Sequence, residues 1–507
     1  VGYLDETFGD GGVVTAQLQS PQSMFPANLK ILPNGDIMHC GTIHHSGDRP
    51  KTYIMKHRSD GSVDSSFGDN GYSSFLSNFR MFNSYLYVYP DGRLLIYGDR
   101  VGAFGIDQQK PSIVRVLANG TIDTSFGDSG WYVPDSSILA GTFFQVKVNA
   151  DGSIIALGSR NTRDTVDFIY TPTITRISSA GRNDTSFGDA GTKIVGTQID
   201  SGHIHTAIFY KDNRCIFSCG QPISSKIGLR MFSTDLNGVI DSSFGTNGVI
   251  EMQLSDDVDY ITAIAEEPSG KLLCIADRLA DGGRESILIR FSPDGTLDNS
   301  FGSYGVAASP TYTYEYSLTY LTLDSSMNIL AAGHLYDSAR YDYPIISHYH
   351  GNGTPDSSHG GDGTIKEMSK YMRVIYSIAV QSDGKYLVMG FNYASDDGRA
   401  IARICLNNNT GKAAVYPTSK NPSTPVSLHP TPSTDNCTVT YTLPTASKCT
   451  ITLRDESGRE VRTFVQDEYR TAGEHEEELD LRSLPIGAYF LQIVCNGSIQ
   501  TAKLIKQ

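Results

Sequence analysis

The stretch Asp64-Ser65-Ser66-Phe67-Gly68-Asp69-Asn70-Gly71 reads D-x-[ST]-F-G-x-x-G, and this phrase recurs through the first 363 residues. Equivalent phrases begin at Asp5, Asp123, Asp184, Asp241, Asp298 and Asp356. The steps between the Phe positions are 59, 59, 61, 57 and 57 residues, followed by 58 to His359, which replaces Phe in the last copy. Self-similarity at a fixed period is the signature of a repeat architecture. The sequence therefore predicts an array of seven units.

Each unit contains short apolar runs bounded by Pro, Asp and Gly, as the fifth unit shows most clearly. Three runs, 261–265, 272–276 and 286–291, are separated by turn sequences, and a fourth follows the F-G-x-x-G phrase at 248–252. Runs of this length with β-branched residues and Gly/Pro boundaries are typical of strands. A Gly recurs late in the second run, and we expect it to end that strand, as at Gly41.

Seven four-stranded units predict an all-β fold, a seven-bladed β-propeller. A closed ring covers the sheet faces and leaves only short edges. A β-solenoid is the alternative, but its rungs are usually shorter and it needs atypical end caps. The last unit ends at 401–406 without a further phrase, so the N-terminal stretch 4–9 is expected to supply the missing junction and close the ring.

Two phrases together point to a known family. The stretch 297–305, which reads L-D-x-S-F-G-x-x-G, and the stretch 268–276, which resembles P-D-G-K-L-L-x-x-G, are similar to the delta-60 repeat family of bacterial propeller-like proteins. The resemblance covers about 405 residues. It implies the fold, and the family carries no single chemistry.

The repeated Asp has a structural interpretation. An Asp side chain accepts hydrogen bonds from the backbone two residues on, the Ser/Thr hydroxyl adds a second bond, and Phe is expected to fill the seam between units. Calcium binding is the alternative, because Asp10 and its equivalents offer a second carboxylate, but Thr246 and Ser303 replace it in two units. His359 is interpreted as drift in a weak last repeat.

Cysteine and histidine do not form a familiar metal pattern. The chain has no C-x-x-C, and its buried cysteines are expected to be free core thiols. His203 and His205, like His348 and His350, have a spacing that could ligate a metal on one strand face, but no adjacent Cys, Asp or Glu pattern completes either pair. We therefore predict no metal and no cofactor.

Tyrosine is concentrated near the sixth blade, where nine of the 28 tyrosines lie between 304 and 349. Tyrosine provides a large contact area with a polar tip and is enriched at recognition surfaces. The candidate ligand-binding residues are Tyr312, Tyr314, Tyr316, Tyr341 and Tyr343. The alternative is a sheet face that packs on the next blade.

The amino-acid composition changes after the repeats. We divide the chain into a propeller at 1–410, a Pro/Ser/Thr linker at 411–427 and a C-terminal domain at 428–507. Apolar residues alternate with polar ones in the last segment, which predicts a small Ig-like β-sandwich. Cys437, Cys449 and Cys495 fall on the apolar side and are expected to be core thiols.

A second resemblance is carried by five motifs in order: 430–433, 458–461, 473–475, 484–491 and 503–506. They are similar to the C-terminal sorting domain of type IX secretion substrates, although Thr431 stands where that family usually has Asn. The resemblance implies that the secretion machinery recognises this domain, and that the protein is secreted or lies on the outer surface of a Gram-negative bacterium. The sorting residues carried over are Gly458, Gly473, Gly487, Tyr489, Lys503 and Lys506.

The composition of the chain and the motifs that it lacks exclude several classes of function. A formal net charge of −14 argues against nucleic-acid binding, and no apolar run is long enough to span a membrane. No nucleophile or phosphate-binding motif occurs, so no catalytic residue is predicted. The chain starts at Val1, which suggests a removed or omitted signal peptide.

The sequence therefore predicts a surface propeller that binds a glycan or protein, with 99–111 and 159–172 as variable loops. The alternatives are an extracellular hydrolase or lyase with acidic residues at the mouth of the propeller tunnel, and a structural adhesin without a small ligand.

Overall fold

The computed structural model contains two compact units, Val1–Gly411 and Lys412–Gln507. The residues that it describes are 3–14, 23–44, 51–76, 80–102, 105–134, 140–163, 168–196, 204–223, 226–253, 260–280, 283–307, 316–336, 342–359, 362–365, 372–391, 399–405, 427–430, 433–443, 447–455, 460–471, 473–495 and 498–507. Of the linker predicted at 411–427, residues 411–426 lie outside these ranges, and Ser427 is described as the first residue of a strand.

The first unit is a seven-bladed β-propeller in which six blades are four-stranded antiparallel meanders. Blade 1 contains β3 (Ser23–Ile31), β4 (Ile37–His44), β5 (Lys51–His57) and β6 (Tyr72–Leu76), and blade 2 contains β7 (Arg80–Val88), β8 (Leu94–Gly102), β9 (Gly105–Val116) and β10 (Trp131–Tyr132). Blade 3 contains β11 (Ala140–Val148), β12 (Ile154–Arg163), β13 (Phe168–Ile177) and β14 (Thr192–Ile194), and blade 4 contains β15 (Ile204–Tyr210), β16 (Arg214–Ile223), β17 (Lys226–Asp235) and β18 (Val249–Met252). Blade 5 contains β19 (Tyr260–Glu266), β20 (Leu272–Ala280), β21 (Gly283–Phe291) and β22 (Val306–Ala307), and blade 6 contains β23 (Tyr316–Leu323), β24 (Ile329–Tyr336), β25 (Asp342–Tyr349) and β26 (Thr364–Ile365). A single 3-10 turn, Lys211–Asn213, joins β15 to β16 among the described residues.

Blade 7 closes the ring with strands from both ends of the unit. It contains β27 (Val374–Val380), β28 (Tyr386–Phe391) and β29 (Arg399–Cys405), and β29 pairs with β1 (Tyr3–Leu4) and β2 (Val13–Val14). The first strands of successive blades contact one another, and β27 packs against β3 of blade 1. The predicted closure by the N-terminal stretch is confirmed.

The recurring late glycine has a different role from the one expected. The first and second strands of every blade show a register shift at the same point, as between Pro26 and Asn28 in blade 1. Gly41 faces this bulge, and a Cβ there would lie 2.1 Å from the carbonyl oxygen of Phe25. The strand continues to His44, so the glycine accommodates a bulge and does not end the strand.

The described residues of the segments expected to be variable loops, 99–102, 105–111, 159–163 and 168–172, are strands. Asp99 stands opposite Pro111 in the β8–β9 hairpin, and Ser159 stands opposite Pro172 in the β12–β13 hairpin. The second and third strands of these blades are therefore long hairpin arms, and that prediction was wrong.

The C-terminal unit is a two-sheet sandwich. One sheet has the order β30-β31-β34 and the other β33-β32-β35-β36. The strands are β30 (Ser427–His429), β31 (Asn436–Leu443), β32 (Ser447–Asp455), β33 (Glu460–Arg470), β34 (Gly473–Asp480), β35 (Gly487–Cys495) and β36 (Ser498–Lys506). Alternate residues of both sheets form its core, including Val439, Ile451 and Leu491.

Two of the three cysteines of this unit form a disulfide. Cys449 on β32 stands directly opposite Cys495 on β35, and the two are joined, whereas Cys437 is a free buried thiol. The expectation of three core thiols was wrong for this pair, because the partners lie 46 residues apart and only the strand register brings them together. In the propeller, Cys40, Cys215, Cys219 and Cys274 are buried and free, as expected. Burial raises the pKa of the Cys40 thiol to about 12, which keeps it protonated at neutral pH.

Candidate functional site

The repeated Asp of the propeller holds its own turn in all seven copies. In the second copy, Asp64 Oδ1 accepts a hydrogen bond from the Ser66 backbone N–H at 3.2 Å and from the Ser66 hydroxyl at 2.6 Å. The same pair of bonds joins each equivalent Asp to the Ser or Thr two residues on. The structural interpretation of the repeated Asp is confirmed.

A basic residue eight positions before the Asp adds a contact that the sequence interpretation missed. Arg290 Nε donates to Asp298 Oδ2 at 2.7 Å, and its guanidinium carbon lies 4.5 Å from the centre of the Phe301 ring. Its Nη1 donates to the carbonyl of Gly351 in the next repeat, at 2.6 Å. We call this arrangement of Arg, Asp and Phe the seam trio. It pairs a buried charge, stacks a cation on an aromatic ring and joins two blades.

The seam trio recurs with local variations. Arg115 and Arg403 make the same ion pair, ring contact and carbonyl bond as Arg290. In blade 4 the equivalent position is Ser233, and Arg214 from the neighbouring strand pairs with Asp241 at 2.8 Å instead. The spacing of eight residues between the basic residue and the Asp is visible in the sequence and could have predicted this ion pair.

These contacts fix the charge of the repeated carboxyls. Burial alone would raise the pKa of Asp5, but hydrogen bonds from Thr7 and Lys385 and the charge of Arg403 outweigh it and hold the pKa at about 2. Hydrogen bonds from Lys56 and Ser66 hold that of Asp64 at about 2. The pKa of every other copy is also lowered. A carboxyl that stays ionised at neutral pH does not serve as a general acid, so none of these seven carboxyls suits that role.

The candidate tyrosines are only partly described. Tyr343 on β25 is exposed, with 37% of its surface accessible, and it stands opposite Leu335 of β24. Tyr316 is the first residue of β23 and stands opposite the same Leu335 on its other side. Tyr312, Tyr314 and Tyr341 lie outside the described residues. The register thus places two of the five positions in one cross-strand row of blade 6, on either side of Leu335.

In the C-terminal unit, the candidate sorting residues around β35 shape a turn. The Tyr489 hydroxyl donates to the Pro485 carbonyl at 2.8 Å, which fixes the turn that precedes the strand. Gly487 begins β35, and the nearest atom to a Cβ there would be 3.9 Å away. Gly473 begins β34 with a φ of +124°, a conformation that favours glycine. Gly458 lies outside the described residues.

The two C-terminal lysines have different environments. Lys503 is exposed on β36, opposite Phe490 of β35, and Arg454 of β32 stands on the other side of Phe490. Lys506 is buried, and its ammonium donates to the Thr434 and Gln507 carbonyls. Lys503 is therefore available to a partner, whereas Lys506 locks the end of the chain onto the sandwich.

An aromatic side chain and two cations thus form a row across the outer face of the larger sheet. Phe490 is 37% exposed, and Ile486 in the preceding turn is 80% exposed. We call Arg454, Phe490 and Lys503, with Ile486, the outer patch. Beside it, β36 is an edge strand, and among the described residues its outer side makes only the isolated bridge between Ser433 and Lys506. Such an edge can accept an added strand.

Comparison with protein families assigns the C-terminal unit. Residues 427–507 match the family described as a secretion system C-terminal sorting domain. Residues 427–507 are a sorting domain. This domain marks the chain for export by a type IX secretion system to a secreted or outer-surface location. In the propeller, residues 90–126 and 267–301 match a β-propeller domain of unknown function (DUF5122).

Other comparisons concern the fold alone. Among curated proteins, none matches the sequence. The polysaccharide lyase Uly1 is 11% identical, with 75% of this chain and 90% of that chain covered and a TM-score of 0.44. An endo-arabinase from Bacteroides thetaiotaomicron is 12% identical, with 54% of this chain and 96% of that chain covered and a TM-score of 0.33. In the part of the chain that the structure describes, no helix is long and apolar enough to cross a membrane.

Proposed function

We propose that the protein is a secreted or cell-surface propeller that binds a glycan or a protein, and that the sorting domain delivers it by contact with the type IX secretion machinery. The sorting domain is the observation that carries the proposal, because it gives the chain an extracellular destination. The repeated carboxyls support binding rather than catalysis, because they are already held by ion pairs and hydrogen bonds within the blades.

The outer patch is the proposed contact with the machinery. Its exposed apolar side chains, Ile486 and Phe490, lie within the stretch 484–491 that resembles the sorting family. Exposed aromatic residues flanked by cations are favourable anchors for a partner. The adjacent free edge of β36 offers backbone groups to an added strand.

Export is tested in a bacterium with an active type IX system by fractionating cells that express tagged chains. Removal of 428–507, and separately the double substitution Phe490→Ser/Lys503→Glu, should leave the chain in the periplasm. Glu476→Gln is the matched control, because Glu476 is exposed on the opposite sheet of the sandwich. Arrival of the truncated chain at the surface would disprove the role of the sorting domain, and normal export of the double variant would disprove the role of the outer patch.

The ligand-binding surface is proposed at the tyrosine-rich part of blade 6. Of these residues Tyr343 is exposed in the structure, and its polar tip and ring suit the face of a sugar or a peptide. The full chain should be screened on glycan and protein arrays beside Tyr312→Ser/Tyr314→Ser/Tyr316→Ser and Tyr343→Ser variants. Loss of a ligand in the variants is expected, and unchanged binding of every ligand would refute this location.

An extracellular hydrolase or lyase is the second candidate, and one carboxyl favours it. Glu266 ends β19, an inner strand of the ring; its side chain is exposed, but partial desolvation raises its pKa although Lys211 lies nearby. A raised pKa is what a general acid requires. Release of products from polysaccharide substrates by the full chain, abolished in Glu266→Gln, would support this candidate over binding alone.

A further inference from the structure

The last repeat differs from the other copies at two of the three positions of the seam trio. His348 replaces the base on the third strand, and His359 replaces the Phe, while Asp356 is retained. Both replacements introduce an imidazole, and they occur in the same copy. The interpretation of His359 as drift considered only one of these changes.

Folding brings the three side chains together. His348 Nδ1 lies 3.0 Å from Asp356 Oδ2, and His359 Nδ1 lies 3.1 Å from the same oxygen. The two rings are 4.5 Å apart between centroids, and one ligand atom of each residue lies within 4.8 Å of those of the others. Asp356, which is eight residues after His348 in sequence, is adjacent to it in space, so a carboxylate lies beside the pair His348 and His350 for which no completing pattern was expected.

The two separations from Asp356 Oδ2 are close to those between the ligands of a bound zinc ion. Zinc binds imidazole nitrogen at about 2.0–2.1 Å and carboxylate oxygen at about 2.0–2.2 Å, usually with tetrahedral angles. Two ligands of that length are then about 3.3 Å apart, close to the spacing seen here. The ligand atoms lie within 4.8 Å of one another, so the most widely separated pair would have to approach by up to about 1.5 Å to admit the ion.

The surroundings of Asp356 also differ from those of its equivalent Asp298. Both histidines are 4% exposed, and the Nε2 atom of His348 is buried without a hydrogen-bond partner. Among the described residues no lysine or arginine pairs with Asp356, whereas Asp298 has both Arg290 and Lys271. The carboxylate thus lacks the permanent positive charge that its equivalents have, and a divalent cation would supply it.

We propose that His348, Asp356 and His359 bind one zinc ion, which replaces the cation of the seam trio in blade 6. The set of two imidazoles and one carboxylate is characteristic of zinc and similar transition metals and is a poor match for calcium, which prefers oxygen ligands. The exposed ring of His350 lies on the open side, with its Nε2 atom 3.9 Å from Asp356 Oδ1, and it is the nearest group that could complete the coordination. Water would otherwise take the fourth position.

The repeats themselves supply the matched variant. His348→Arg/His359→Phe restores the residues that stack in blade 5, so it is expected to fold. The full chain, stripped with a chelator, should be titrated with Zn²⁺ by calorimetry, and Co²⁺ should be added separately as a spectroscopic probe. His475→Gln in the sorting domain is the control for zinc binding by other histidines.

The wild-type chain and His475→Gln are expected to bind one tight equivalent of zinc, and Co²⁺ should give the absorption bands of a tetrahedral site. The double variant is expected to bind zinc at least about 100-fold more weakly, with no such bands. A melting temperature that zinc raises in the wild type and not in the double variant would place the ion in the blade. Absence of a tight equivalent in the wild type, or equal affinity in the double variant, would overturn the proposal.

Discussion

Replacing Asp5 by Asn tests whether the ion pair at the ring closure stabilises the propeller. Asp5 Oδ2 contacts Arg403 Nε and Lys385 Nζ, both at 2.9 Å, and the Asp5 and Arg403 side chains are 9% and 8% exposed. Removing one partner of a buried pair costs about 3–5 kcal/mol, because the other charge remains buried. Arg403 keeps its bonds to the Ser59 carbonyl and the Thr7 hydroxyl, so we expect the lower end, about 3 kcal/mol.

The assay is urea unfolding followed by tryptophan fluorescence. The chain has a single tryptophan, Trp131, which lies in blade 2, so the signal reports the propeller and not the sorting domain. Asp69→Asn is the control, because Asp69 is exposed and should cost less than about 0.5 kcal/mol. Equal destabilisation of the two variants at pH 7 would refute the reasoning.

The pH dependence gives the same test a second readout. The pKa of Asp5 is about 2 in the folded chain, below its ordinary value of 3.8, so the unfolded chain binds more protons between these pH values. The stability that Asp5 contributes is present above about pH 4 and is lost as the pH falls towards 2. The difference between the wild type and Asp5→Asn should shrink over that window, and a constant difference would contradict the assignment.

Two further predictions concern backbone space and the disulfide. Gly41→Ala should destabilise the propeller by more than about 2 kcal/mol, because its Cβ would overlap the Phe25 carbonyl. Gly487→Ala in the sorting domain, where a Cβ has room, should change the free energy of unfolding by less than about 0.5 kcal/mol. Urea unfolding of each domain measures both changes, and equal effects would refute the argument. Replacing Cys449 and Cys495 by Ser should lower the free energy of unfolding of the sorting domain by about 2–4 kcal/mol. Circular dichroism of residues 427–507 or of the full chain measures this change. The unfolding transition followed by tryptophan fluorescence should stay the same, and a shift in it would contradict the prediction.

The repeat period was enough to predict the blades, because each phrase is a local turn whose hydrogen bonds span two residues. The phrase also predicted ring closure, because the stretch 4–9 can supply the phrase that follows the last unit, and β1 and β2 pair with β29. The bulge opposite Gly41 was not predicted, because it depends on the register of two strands.

Longer-range pairings were missed for a related reason. The bond between Cys449 and Cys495 requires the pairing of β32 with β35, which are not consecutive in the chain. The contact of His348 with Asp356 requires the turn between β25 and β26 to fold back on its strand. Side chains eight residues apart form no recognised sequence motif, although the same spacing places Arg290 on Asp298 in blade 5. When the repeats are aligned by position, His348 and Asp356 fall where Arg290 and Asp298 stand in the preceding copy.

Closure of blade 7 by β1 and β2 has a consequence for the order in which the propeller is completed. Arg403 and Thr7, which meet at this closure, are separated by 396 residues. Bringing such ends together costs roughly 5 kcal/mol of chain entropy in addition to a constant, and nothing offsets that cost until the intervening blades have formed. Any nascent or partly translocated chain that lacks blade 7 thus presents an unpaired β1 and an open blade edge. The ring is expected to become stable only as a last step, when the end of the propeller meets its beginning.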